Sequence, residues 1–163
     1  MLMTTVHTDF EIARMSEHDL LEVVEIEEAS GLSRWGWAAY YAELQSVNRD
    51  LLLVARKTST SAGRGELAGY IVARETAGEV HINNVAVREE HRRKGLGSTL
   101  LEEVIKRARE LGATKAFLEV RSLNRAAQKM YECCGFQAIA RRPNYYSEPR
   151  EDAIIMSRVL DEI

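Results

Sequence analysis

An apolar, β-branched run over residues 80–87 is followed closely by Arg92-Arg93-Lys94-Gly95-Leu96-Gly97, and a helical pattern begins inside that hexapeptide. Strand, glycine-rich turn and helix start, in that order, build an anion site. The first-turn N–H groups have no intrahelical acceptor, and the helix dipole puts partial positive charge on them. Gly95 and Gly97 carry no Cβ and let the backbone come close to a ligand. Arg88, Arg92, Arg93 and Lys94 add fixed cations, so a pyrophosphate is the natural guest. The spacing is neither the GxGxxG of a dinucleotide fold nor a P-loop, since no GK[ST] follows. On its own the hexapeptide is also compatible with a basic turn opening an ordinary helix, so the flanking sequence decides.

The 163 residues suffice for one domain with a real core, expected over residues 1–163. A formal charge of −3 argues against non-specific nucleic-acid binding, and no apolar run approaches the ~20 residues of a membrane span. The first ten residues lack the basic and apolar regions of a signal peptide. Cys133 and Cys134 are neighbours, poorly placed to staple distant segments, which fits a reducing compartment. A cytoplasmic protein without nucleic-acid or membrane partners is expected.

Strand patterns occupy residues 10–15, 51–57, 67–75, 80–87, 115–120, 136–141 and 153–159. A Ser/Thr/Gly-rich stretch over 58–65 reads as a solvated hairpin loop. Ser16 and Asp19 open a helix on which Leu20, Val23, Val24 and Glu27 recur at helical spacing until Ser30-Gly31. A second helix is predicted over 37–47 and a fourth over 124–134, stopped by Gly135. The third is the clearest: Leu96, Leu100, Leu101, Val104, Ala108 and Leu111 form one apolar stripe, and Gly112 suits its C-terminal end. This order predicts an α/β fold with a mixed, mostly antiparallel central sheet of about seven strands flanked by four helices.

The hexapeptide resembles the Arg/Gln-x-x-Gly-x-Gly/Ala signature of the GNAT acetyltransferases, whose element order is the same. Asn124, Ala127, Tyr131 and Gly135-Phe136 resemble that family's N-x-x-A-x-x-x-Y-x-x-x-G-F. Leu118-Glu119-Val120-Arg121-Ser122-x-Asn124, Arg141-Arg142-x-Asn144-Tyr145-Tyr146 and Glu151-Asp152-Ala153-Ile154-Ile155-Met156 are similar to the bacterial ribosomal-protein alanine N-acetyltransferases within it. The resemblance implies acetyl-CoA as cosubstrate. Arg92, Arg93, Lys94, Gly95, Leu96, Gly97 and Ser98 would hold its pyrophosphate. Val85, Ala86 and Val87 would pair with the pantetheine arm, with a backbone N–H near Val85 or Ala86 facing the thioester carbonyl, and Asn124 and Tyr131 would border it. It implies a protein N-terminus as acceptor, the N-terminal alanine of a small-subunit ribosomal protein.

Acetyl transfer to an amine needs a base and an acid. Tyr131, with an ordinary phenol pKa of about 10, is the acid candidate for the departing thiolate. Glu119 is the base candidate; it interrupts an apolar strand beside Phe117, where desolvation would raise its pKa. His81 is the rival base, although a surface or packing role suits it better. Trp35, Tyr145 and Tyr146 are candidates for clamping a peptide, whereas Trp37 reads as loop packing and Glu25 and Glu28 as a solvated helix face. The segment Leu32-Ser33-Arg34-Trp35-Gly36-Trp37 departs from the Pro-Trp-Ser common in that subfamily. Cys133 and Cys134 sit at the negative end of a helix dipole and are set aside as nucleophiles. The four His and two Cys show no ligand spacing, so no metal is expected. Acetylation of lysines or small amines, or a non-catalytic acyl-CoA-binding role, are the competing functions.

Overall fold

A computed structural model describes residues 5–7, 9–31, 34–58 and 63–160. In chain order they form β1 (Thr5–His7), β2 (Phe10–Arg14), α1 (Leu20–Ala29), α2 (Gly36–Leu44), β3 (Leu52–Lys57), β4 (Leu67–Thr76), β5 (Glu79–Val87), α3 (Leu96–Glu110), β6 (Lys115–Arg121), α4 (Arg125–Cys133), β7 (Gln137–Ser147) and β8 (Arg150–Val159). The eight strands make one sheet in the order β1-β2-β3-β4-β5-β6-β8-β7. Only β5 and β6 run parallel. The seven expected strands are present, and the eighth is the short edge strand β1, paired with β2. The centre of the 58–65 loop, residues 59–62, lies outside the described residues, as do Leu32 and Ser33.

The sheet is covered on both faces. The stripe of α3 packs Leu96, Leu100, Leu101, Val104 and Ala108 against Ala116, Leu118 and Val120 on one side. On the other, Leu20, Val23 and Ile26 of α1 and Tyr40 of α2 pack against Leu52, Val54 and Tyr70. Two helices end in the same way. Gly112, at φ 95°, lets its N–H reach Arg109 O at 2.9 Å while Ala113 N reaches Ala108 O at 2.9 Å. Gly135, at φ 87°, repeats this after α4, with Phe136 N bonded to Tyr131 O at 3.0 Å and the two rings 6.0 Å apart. Both are Schellman closures, with the accompanying apolar contact visible in the second. Leu101 is fully buried in this core. Leu101→Ala is expected to cost about 2–5 kcal/mol, read as a lower urea midpoint at unchanged m-value.

A bulge shapes the middle of the sheet. Val72 pairs with Asn84 but Ala73 pairs with Ile82, so Asn83 is the extra residue on β5. One inserted residue exchanges the faces of everything after it. Before the bulge Val80 and Ile82 point to the α3 side; after it Val85 and Val87 do, and Ala86 joins the α1–α2 side. The parallel pairing with β6 runs only from Glu79↔Lys115 to Ile82↔Leu118. Beyond that point the strands part.

Candidate active site

Two clefts meet where β5 and β6 part. One, of about 550 Å³, is bordered by Val85–Val87 and by Arg92, Arg93, Gly95, Leu96, Gly97 and Ser98. The other, of about 260 Å³, is bordered by Trp35, His81, Asn83, Asn84, Glu119, Tyr145 and Tyr146. Ser30, Val85, Asn124, Ala127 and Tyr131 border both, so the two clefts adjoin at these residues.

The turn before α3 is built as the sequence predicts, with changes in detail. Gly95 adopts φ 78° as the N-cap of α3, and Arg93 is also left-handed at φ 64°. A non-glycine residue held there is a strained backbone position of the kind found at ligand-binding turns. At Gly97 a Cβ would lie 2.9 Å from Met130 Sδ of α4, so the methionine side chain would have to move aside for any larger residue. Arg92 donates Nε–H to Val87 O at 3.0 Å, tying the turn to the strand. Two of the expected cations leave the spot. Arg88 turns to Glu25 (2.8 Å) and to Leu67 O (2.7 Å). Lys94 leans over the Phe10 ring, 5.6 Å from its centroid, so its contribution to the turn is its backbone. The charge facing the cleft is therefore carried by Arg92 and Arg93.

In the smaller cleft, Glu119 Oε2 lies 2.5 Å from His81 Nε2. The register His81↔Phe117 brings them together, and the His81 ring stacks on Phe117 at 4.7 Å. Asn83 Nδ2 is 3.1 Å from His81 Nδ1, so the bulge residue holds the other side of the ring. This corrects two expectations. His81 is not a surface histidine; it is paired with Glu119 on the cleft wall. The Glu119 carboxyl is not raised: the hydrogen bond from His81 holds it below the ordinary carboxylate range, against the upward push of burial, with the charges of His81 and Arg142 adding to the lowering. The strand alternation shows Glu119 beside an aromatic but not the imidazole next to it.

Tyr131 is 7% exposed and borders both clefts, and its hydroxyl makes no hydrogen bond among the described residues. Burial first, then the neighbouring Tyr146 and Cys134, push its pKa above the ordinary phenol value, so it stays protonated. Asn124 borders both clefts, but its Oδ1 is used to cap α4 by accepting from Ala127 N at 3.1 Å. Ser98 borders the first cleft; near it, burial holds the Cys134 thiol up while Ser98 opposes the shift. Neither cysteine borders a cleft.

Trp35 borders the smaller cleft and stacks on Tyr40 at 5.4 Å. Trp37 is 45% exposed and stacks outward on Tyr41. Tyr145 and Tyr146 meet edge to face at 5.0 Å, and the Arg121 guanidinium covers Tyr146 at 4.2 Å. Burial pushes Tyr146 up to about 12. A second bulge sets this pair: β7 pairs Arg142 with Ala153 and Tyr146 with Glu151. Asp152 holds it by accepting from Asn144 N (2.9 Å) and Arg141 Nε (2.7 Å). Asn83, Asn84 and Asp152 were not singled out from the sequence. Two adjacent asparagines within a β-branched strand are, however, a visible sign of irregular pairing. Away from the clefts' junction, Glu66, Glu90 and His91 bring one ligand atom each within 4.8 Å of one another, but Arg88 Nε already lies 3.6 Å from Glu66.

With this geometry established, known proteins supply a frame. A Bacillus subtilis (strain 168) protein, provisionally named a [ribosomal protein bS18]-alanine N-acetyltransferase, is 34% identical over 93% of this chain and 96% of its own. The crystal structure of the ribosomal-protein-S18-alanine N-acetyltransferase from Escherichia coli superposes with a TM-score of 0.78 at 29% identity, over 94% of this chain and 96% of that one. Ard1 from Thermoplasma volcanium superposes at 0.84 with 28% identity, over 95% of this chain and 100% of its own. The pattern of the acetyltransferase (GNAT) family matches residues 20–136, a span holding the turn, the bulge, Glu119 and Tyr131. On these grounds the chain belongs to the acetyltransferase (GNAT) family.

Proposed function

We propose that the protein transfers an acetyl group from acetyl-CoA to the α-amine of a protein N-terminus, that of the alanine that begins ribosomal protein bS18. The observation that carries this reading is the meeting of two clefts at Val85, Asn124 and Tyr131, with Glu119 on one side and the glycine turn on the other. The cosubstrate fits the larger cleft. Its pyrophosphate matches the turn of Arg92, Arg93, Gly95 and Gly97, and its pantetheine arm matches the apolar wall of Val85, Val87 and Met130 beside an unpaired strand edge. The choice of bS18 rests on what the relatives are named for. With a ribosomal acceptor the enzyme works in the cytoplasm.

In this reading the acceptor amine attacks the thioester carbonyl directly. The Glu119–His81 pair receives the ammonium proton, with His81 orienting the carboxylate through Nε2. A backbone N–H near Val85 or Ala86 faces the developing oxyanion. Tyr131 donates a hydrogen bond to the departing sulfur. Its upward-shifted pKa makes donation, rather than full loss of the proton, the favoured form. Trp35, Tyr145 and Tyr146 flank the entering peptide.

A thiol-release assay with acetyl-CoA tests this. One peptide carries a free N-terminal alanine; the other is N-blocked with an internal lysine. Turnover of the alanine peptide alone is expected. Turnover of the lysine peptide alone reassigns the acceptor to side chains. Binding of acetyl-CoA without turnover of either peptide overturns the reading in favour of a small amine or a non-catalytic module.

A further inference from the structure

Glu27 lies on the apolar stripe of α1, 1% exposed, yet has no arginine or lysine partner among the described residues. Its carboxylate is instead filled by donors from two other elements. Trp35 N (3.0 Å) and Gly36 N (3.1 Å) donate to Oε1. Tyr40 Oη and Asn84 Nδ2 (3.5 Å) donate to Oε2. Tyr40 also accepts from Asn84 Nδ2 at 3.0 Å and lies 2.9 Å from Tyr70 Oη. Burial pushes both tyrosines above the ordinary phenol value, so each keeps its proton to donate.

Two of these donors are the orphan N–H groups at the start of α2, where a negative charge also meets the positive end of the helix dipole. Glu27 thus caps a helix other than its own. The other end of the same carboxylate holds Tyr40 Oη, which accepts from Asn84, the residue after the bulge of β5, at 3.0 Å, while Asn84 itself lies 3.5 Å from Glu27. Trp35 and Asn84 both border the acceptor cleft, on walls contributed by different segments. Burying an unpaired carboxylate is costly unless its acceptors are filled, and here that cost is met by donors that join the two walls.

We propose that Glu27 is a positioning residue for the acceptor, fixing the spacing of Trp35 from Asn84 and so the path of the incoming chain. It deepens the peptide-acceptor reading and rests on it. Glu27→Gln keeps the shape but turns one acceptor into a donor facing Asn84 or the backbone amides. The KM for the alanine peptide is expected to rise about tenfold, the loss of one buried hydrogen bond. The KM for acetyl-CoA and the kcat should stay within about twofold, since Glu27 touches neither the turn nor the reacting groups. Tyr70→Phe disturbs the same buried network without freeing Trp35 and should leave the peptide KM within about twofold. A second measurement needs no turnover. In a Trp37→Phe background Trp35 is the sole tryptophan, and Glu27→Gln should raise its quenching by acrylamide and shift its emission to the red. Equal effects on both substrates, an equal effect from Tyr70→Phe, or unchanged quenching overturns the proposal. Failure of the unsubstituted protein to acetylate the peptide overturns the acceptor reading instead, and the quenching still judges the tether.

Discussion

Glu119→Gln is expected to lower kcat by about 100-fold, the common cost of losing a positioned acid–base group. The amide keeps the volume and can still accept from His81 Nε2, which lies 2.5 Å from the carboxylate. It cannot take a proton from the acceptor. The pH dependence distinguishes this arrangement from the one the strand pattern suggests. A carboxyl raised by desolvation would titrate between pH 6 and 8, and its replacement would flatten the profile there. Glu119 is shifted the other way, by the His81 hydrogen bond first. A group held low is ionised above its shifted pKa and loses its function only as pH falls through it, below the ordinary value of about 4.3. Between pH 6 and 8 it adds no slope. The acceptor α-amine, with an ordinary pKa of about 7.7–8.0, supplies slope in that window. Log kcat/KM against pH should therefore drop in parallel for the variant. A flattened profile would show that Glu119 titrates in the neutral range despite His81.

The same residue marks where sequence stops being informative. Helix α3 is legible because its stripe, its glycine start and its Gly112 end are local. The phosphate-type turn is legible for the same reason. The missing information is held by partners distant in sequence. His81 reaches Glu119 through the register of two parallel strands, which one strand's alternation cannot reveal. Arg88 reads as part of the basic turn, but Glu25 on α1 draws it away. The second helix, expected from residue 37, begins at Gly36 because Glu27 of another helix caps it. Its trace in the sequence is a charged residue at an apolar stripe position. The bulges at Asn83 and near Asn144 are set by pairing with β4 and β8, and each redirects side chains that border the smaller cleft.

Tyr131→Phe isolates a single hydroxyl. The ring stays in place because its fixation does not depend on that group: the residue is buried against Phe136, and its carbonyl closes the end of α4. Since the hydroxyl has no hydrogen-bond partner among the described residues, the Phe variant orphans no donor or acceptor there, and the melting temperature should hold. Tyr131 borders both clefts, and in the proposed reaction its hydroxyl serves the departing thioester sulfur where the two substrates meet. Charge grows on that sulfur only as the bond breaks, so a donor aimed at it favours the transition state over the bound substrate. A fall in kcat of about 100-fold is expected, at an acetyl-CoA Kd within about twofold of the parent. Burial keeps the phenol protonated above its ordinary value of about 10, so activity should not decline between pH 8 and 10 through loss of this proton. Stopped-flow turnover with calorimetric titration of acetyl-CoA separates the two quantities. An unchanged kcat would make Tyr131 a packing residue and leave the departing thiolate to be stabilised by water.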